Sequence, residues 1–191
     1  MAKIELNGKL EAASLLYIIE NISDIPSGVL SNKEEAYIET KTKKDFDVAS
    51  VNQYDKEIVV LKVTKEQSDK NQEKARKAGS KITSLLNTNK LASLEINDLS
   101  SNESYVIATA EGIVLANYQF LKYFKDADEK QNSLTTINIV SKSIETQKIE
   151  ELKAGVEGNA WAKDLVNEPL SFLTATELAN QIVEKTEPLG V

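Results

Sequence analysis

The 191-residue chain contains no cysteine and no histidine. The first absence excludes disulfides, thiolate metal sites and cysteine nucleophiles together. The second removes the His general base, the Ser-His-Asp triad, the Cys-His dyad and the HExxH zinc site. Any metal would have to be held by carboxylates, as calcium, magnesium or manganese can be. Arg76 is the only arginine, and the formal net charge is −7. A phosphate-tracking surface needs clustered Lys and Arg, and base readout favours Arg forks, so nucleic acid is not an expected partner. The seven glycines form neither GxGxxG nor GxxxxGK(S/T), the two loops that cradle phosphates. No GxSxG or SxxK gives a serine an activating context. No apolar run approaches the roughly 20 residues that span a bilayer. The segment MAKIELNGKLEAASLLYIIE has a short apolar patch preceded by Glu5 and Glu11 and no small-residue cleavage site, so neither a signal peptide nor a membrane partner is expected.

What remains is the composition of an ordinary folded protein: 41% hydrophobic and 28% charged residues, close to the globular average. The length suits one domain with a proper core, or one domain and a substantial piece of another. SLLYIIENI (14–22) fits either a buried strand or a short helix, because a short apolar run does not separate the two. After the turn at Pro26-Ser27-Gly28 a short helix is expected, then a strand around Asp47 to Gln53, a turn at Tyr54-Asp55-Lys56, and the β-branched strand IVVLKV (58–63), covered on both faces. Thr64 with Gln67 reads as a capping box opening a helix whose Ala75, Ala78, Ile82, Leu85 and Leu86 share one face. LASLEIND (91–98) and YVIATA (105–110) read as strands, IVLANYQFLKYF (113–124) as a helix, and TTINIV (135–140) as an alternating edge strand. From Ser141 to Gln147 the alternation stops and helix follows. Ile149, Leu152, Val156 and Ala160 mark a long helix ended by Pro169, and Thr174 with Glu177 starts a last one. Strands alternating with helices define an α/β domain with a mostly parallel or mixed sheet.

Candidate chemistry is sparse. Asp126, Asp128 and Glu129 begin like an EF-hand loop, but Gln131 stands where the glycine belongs and Ile137 where the bidentate Glu belongs, so a solvated loop is expected. Thirty acidic residues offer many carboxylate pairs, but a glycosidase pair is defined by its separation in space. The expectation is that the chain has no catalytic, cofactor-binding or metal-binding residue.

Two stretches carry a family resemblance. WAKDLVNEPLSFLTATELA resembles the leucyl aminopeptidase (cytosol aminopeptidase) motif Ala-Arg-Asp-Leu-Val-Asn-x-Pro, three residues, Leu-Thr-Pro-x-x-Leu-Ala. It matches at Ala162, Asp164, Leu165, Val166, Asn167, Pro169, Leu173, Thr174, Leu178 and Ala179, with Lys163 in place of the arginine and Ala175 in place of the second proline. Upstream, Glu111, Gly112, Leu115, Tyr118, Phe120 and Tyr123 match the motif Glu-Gly-x-x-Leu-x-x-Tyr-x-Phe-x-x-Tyr. The resemblance runs from about Asp45 onward. It departs from the family at Lys62-Val63-Thr64, where a Gly-Leu-Gly is common.

The resemblance implies an N-terminal domain like a macro domain (1–145), with a mixed sheet flanked by helices. A connecting helix and the start of a catalytic domain would follow (146–191), and the chain looks truncated before that domain. The implied parent is a cytoplasmic, hexameric exopeptidase that releases N-terminal amino acids from peptides. Its catalytic domain would carry two divalent metals, zinc or manganese, while this chain is expected to be inactive alone and to serve assembly and active-site access. The family's Asn-Thr-Asp-Ala-Glu-Gly-Arg signature is absent here, so no metal ligand carries over to any residue. Two other roles follow from the resemblance: a stand-alone module binding a nucleotide or ADP-ribose, and DNA binding, which the −7 charge opposes.

Overall fold

The computed structural model describes residues 2–8, 10, 14–54, 56–100 and 102–190. Glu11, the turn residue Asp55, and Ser101 lie outside the described residues. Six strands form one sheet: β1 (Lys3–Leu6), β2 (Ser14–Ile19), β3 (Val48–Asn52), β4 (Glu57–Lys62), β5 (Ser93–Asp98) and β6 (Thr136–Val140). Their spatial order is β1-β6-β5-β2-β4-β3, and every neighbouring pair is parallel except β3 with β4. The helices are α1 (Asn32–Lys41), α2 (Asp69–Thr88), α3 (Glu103–Ala116), the single turn α4 (Ala127–Lys130), α5 (Thr146–Asn167) and α6 (Ala175–Thr186). This is the expected mixed, mostly parallel α/β sheet flanked by helices.

The ambiguous run at 14–19 is a strand at the heart of the sheet, with β4 on one side and β5 on the other. Leu16, Ile18, Val59, Leu61, Leu94, Ile96, Ile137 and Ile139 point to one face and meet α2, α3 and the first half of α5. Tyr17, Ile19, Ile58 and Val60 point to the other and meet Ile38 of α1. Side chains alternate across a strand, so a strand buried on both faces must be apolar throughout.

Four local expectations fail. YVIATA is not a strand but the start of α3, which buries Tyr105, Val106, Ala108, Thr109, Ala110, Gly112, Ile113 and Val114. A helix buried nearly all round loses its 3.6-residue pattern, and its apolar run then mimics a strand. The helix expected over 113–124 stops at Ala116, where the Asn117 side chain donates to Leu134 O (2.8 Å) and accepts from Asn87 (3.0 Å). Thr64 does not open α2, because Ser68 caps it through Asn71 N–H. The Glu66 carbonyl takes bonds from the Asn71 side chain (3.0 Å) and the Tyr105 hydroxyl, holding 64–68 out of the helix. Finally, β6 is not an edge: β1 lies beyond it.

By its internal contacts the chain divides into a unit of residues 1–156 and a unit of residues 157–191. The first holds the sheet and both apolar clusters. The second holds the later part of α5, Pro169 and α6. There Pro169 O accepts from Phe172 N–H (2.8 Å) and Leu173 N–H (3.0 Å), and Thr174 Oγ1 accepts from Glu177 N–H (3.2 Å). The Glu177 carboxylate accepts from Gln181 Nε2 (3.1 Å).

Candidate functional site

Glu111 and Gly112, the most motif-like pair of the upstream stretch, sit in the seam between α2 and α3. A Cβ on Gly112 would lie 2.0 Å from Arg76 O, and one on Gly79 would lie 2.4 Å from Thr109 O. The two helices therefore touch backbone to backbone, and glycine is required for that close approach. Beside the contact, Arg76 Nε and Nη2 each reach Glu111 Oε2 at 2.8 Å, and Nη1 reaches Glu73 at 2.6 Å. Burial opposes the guanidinium charge, but the bonds and charges of Glu111 and Glu73 outweigh it and raise the Arg76 pKa. Thr83 Oγ1 donates within the same seam, 3.0 Å from Gly79 O and from Ile113 O. Glu111 thus pairs across the contact between α2 and α3. Of the remaining positions, Leu115 packs against the main core, and the Phe120 and Tyr123 rings meet at a tilt of 56° with centroids 5.8 Å apart.

The downstream motif presents a different surface. In the 157–191 unit Val166 is 85% exposed, Leu170 88% and Phe172 61%. Asn167 Nδ2 donates to Lys163 O (2.9 Å) within α5.

The acidic cluster forms α4, where Asp126 pairs with Lys130 at 3.0 Å. Among the described residues no group of three or more His, Cys, Asp or Glu is placed to hold a metal ion. No helix among the described residues is long and apolar enough to cross a membrane.

A large concavity lies outside the carboxyl ends of β1, β5 and β6. It measures about 1050 Å³ and includes Asn7, Asn97, Asp98, Ser141, Lys142 and Thr146 in its lining. Ligands of open α/β sheets bind in this position, and sequence reasoning missed it because the strand that completes it, β1, was not read. Its polar groups are largely occupied. Asn7 bonds both backbone groups of Ser141 (3.0 and 3.1 Å), Asp98 accepts from Ser100, and Ser141 Oγ takes the amides of Ser143 and Ile144. Two buried phenols lie away from the cleft. Burial, then the charge of Glu95, raises the Tyr17 pKa. Burial raises that of Tyr105 as well, against a lowering bond with Asn71.

No family model matches the chain. By fold it is similar to a mutant tomato leucine aminopeptidase, with a TM-score of 0.68 over 98% of this chain and 42% of the other, at 14% identity. By sequence, a "Probable cytosol aminopeptidase" of Clostridium tetani is 36% identical over 95 residues, 47% of this chain and 19% of the relative. One from Rickettsia rickettsii is 33% identical over 94 residues. Another, from Rickettsia canadensis, is 29% identical over 126 residues, 62% of this chain and 25% of the relative. The chain is therefore an α/β domain with the fold of the leucine aminopeptidase N-terminal domain. More particularly, it is homologous to the N-terminal region of the cytosol aminopeptidases, and the matched stretch spans only about a fifth to a quarter of their length.

Proposed function

We propose that the chain is the non-catalytic N-terminal domain of a cytoplasmic leucyl aminopeptidase, a metallo-exopeptidase that releases N-terminal amino acids from peptides. Residues 1–145 form the macro-like domain and 146–191 the connecting helix and the beginning of the catalytic domain. The partner is a catalytic domain of the same polypeptide, which supplies two divalent metals, zinc or manganese, while this chain supplies no catalytic, cofactor or metal residue. Its contribution is to assemble the hexamer and to shape access to the active sites. The supporting observation is that one chain combines sequence similarity to cytosol aminopeptidases with a leucine aminopeptidase fold over 98% of its length. The exposed Val166, Leu170 and Phe172 are the surface that the catalytic domain covers. The test is hydrolysis of a chromogenic leucine amide with added manganese. The pure chain should release nothing, and its downstream reading frame, expressed with it, should restore activity; leucine release by the chain alone overturns the reading.

A second reading, a module binding a nucleotide or ADP-ribose, draws on the cleft at the strand ends. The amides of Ser143 and Ile144 that an anion would need are already bonded to Ser141, which favours the first reading. A micromolar heat of binding on titration with ADP-ribose would reverse that order.

A further inference from the structure

The sheet has two edges of opposite character. β1 is four residues long, and its Lys3 and Glu5 form an ion pair at 2.6 Å, features that discourage pairing with another chain. β3 reads Val-Ala-Ser-Val-Asn, with no charge and no proline. Gln53 N–H bonds Lys56 O (2.9 Å) and Lys62 N–H bonds Asp47 O (3.2 Å). Hydrogen-bonding direction alternates along an antiparallel strand, so Ala49 and Val51 face β4 while the N–H and C=O groups of Val48, Ser50 and Asn52 face outward. Beside this edge, between α1 and β3, runs a groove of about 320 Å³ lined by Lys33, Glu34, Tyr37, Ser50, Val51 and Asn52.

We propose that β3 is a homodimer interface, pairing antiparallel with β3 of a second copy about a two-fold axis through Ser50. In that register Ser50 faces its own copy, Val48 faces the partner's Asn52, and all three outward residues exchange both backbone bonds. Ala49 falls opposite the partner's Val51 on the groove side. Every cross-strand pair is small or uncharged, so none repels. It is this self-complementarity that selects a second copy over an unrelated peptide. The two-fold contact uses the same patch on both chains and closes on itself, and the charged β1 edges stop further growth.

The test is sedimentation of the whole chain from low to high micromolar concentration, with three variants. Ser50→Pro removes an outward N–H without touching the ladder to β4, and Ser50→Lys sets two like charges opposite each other. Each should weaken dimerisation by more than about tenfold with circular dichroism and melting temperature unchanged. If the proline variant misfolds, the lysine variant decides. Leu170→Glu, on the exposed junction, should leave the dimer intact. A chain that stays monomeric throughout, a dimer that survives both Ser50 changes, or one lost only in Leu170→Glu overturns the proposal.

Discussion

A methyl group added at Gly112 would lie 2.0 Å from the Arg76 carbonyl oxygen, whereas one added at Gly155 would meet nothing within 4 Å. The same substitution therefore has opposite expected signs. Gly112→Ala must push α3 off α2 or distort both, at a cost of about 3 kcal/mol. Gly155→Ala removes a helix-interior glycine and should stabilise by about 0.5–1 kcal/mol. Urea denaturation of the two variants checks both, and a Gly112→Ala protein as stable as the parent would refute the backbone contact. By comparison the Arg76–Glu111 pair, a third exposed on each side, should contribute no more than about 1 kcal/mol. The sequence displays Glu111 and Gly112 as a motif but does not say for what. A buried contact across helices leaves no period, only an unexplained glycine.

Of α1, α2, α3 and α5, the helices with buried residues, α1 is the least anchored, since Ile38 is its only one. Its start rests on a capping box. Ser31 N–H donates to Glu34 Oε2 (2.7 Å), the Ser31 hydroxyl does the same (2.8 Å), and Gln53 Nε2 reaches Glu34 Oε1 (3.2 Å). These bonds, led by that from the Ser31 backbone, hold the Glu34 pKa below its usual 4.5. A carboxylate lowered on folding stabilises the fold above its unfolded pKa, and that contribution is lost as pH falls through the lower folded value. Titration of the Glu34 side chain by NMR should give a midpoint below 4.5, and Gln53→Ala should move it back up. Elements with an alternating or one-sided pattern were legible: β3, β4, β5, the body of α2 and the Pro169 stop lie where their residues put them, though the start of α2 does not. Those that failed had tertiary causes. The Tyr105 and Asn71 bonds to Glu66 O delay α2, and full burial disguises α3. The cleft was illegible because β1 joins the sheet through β6, which lies far along the chain.

At the scale of the whole molecule, that closing of the sheet is a set of bonds between distant residues. Lys3 N–H reaches Thr135 O and Asn7 N–H reaches Ile139 O, both at 2.8 Å. Asn138, fully buried, accepts from Gly8 N–H (2.8 Å) and donates to Gly8 O (3.1 Å). Asn138→Ala strands both Gly8 groups and should cost about 1–3 kcal/mol. Hydrogen exchange at Lys3 to Asn7 should then rise ahead of β2 and β4; uniform exchange across the sheet would show that β1 is held by other means.

Gly8 and Asn138 are 130 residues apart, which sets an order of events on the ribosome. The first strand of the sheet has no seat until β6, its last strand, has emerged, a wait of roughly 7–26 s at ordinary elongation rates. Through that interval β2, β4 and β5 can pair while β1 trails as free polypeptide, exposed to chaperones and proteases, and its docking reports that synthesis of the sheet is complete.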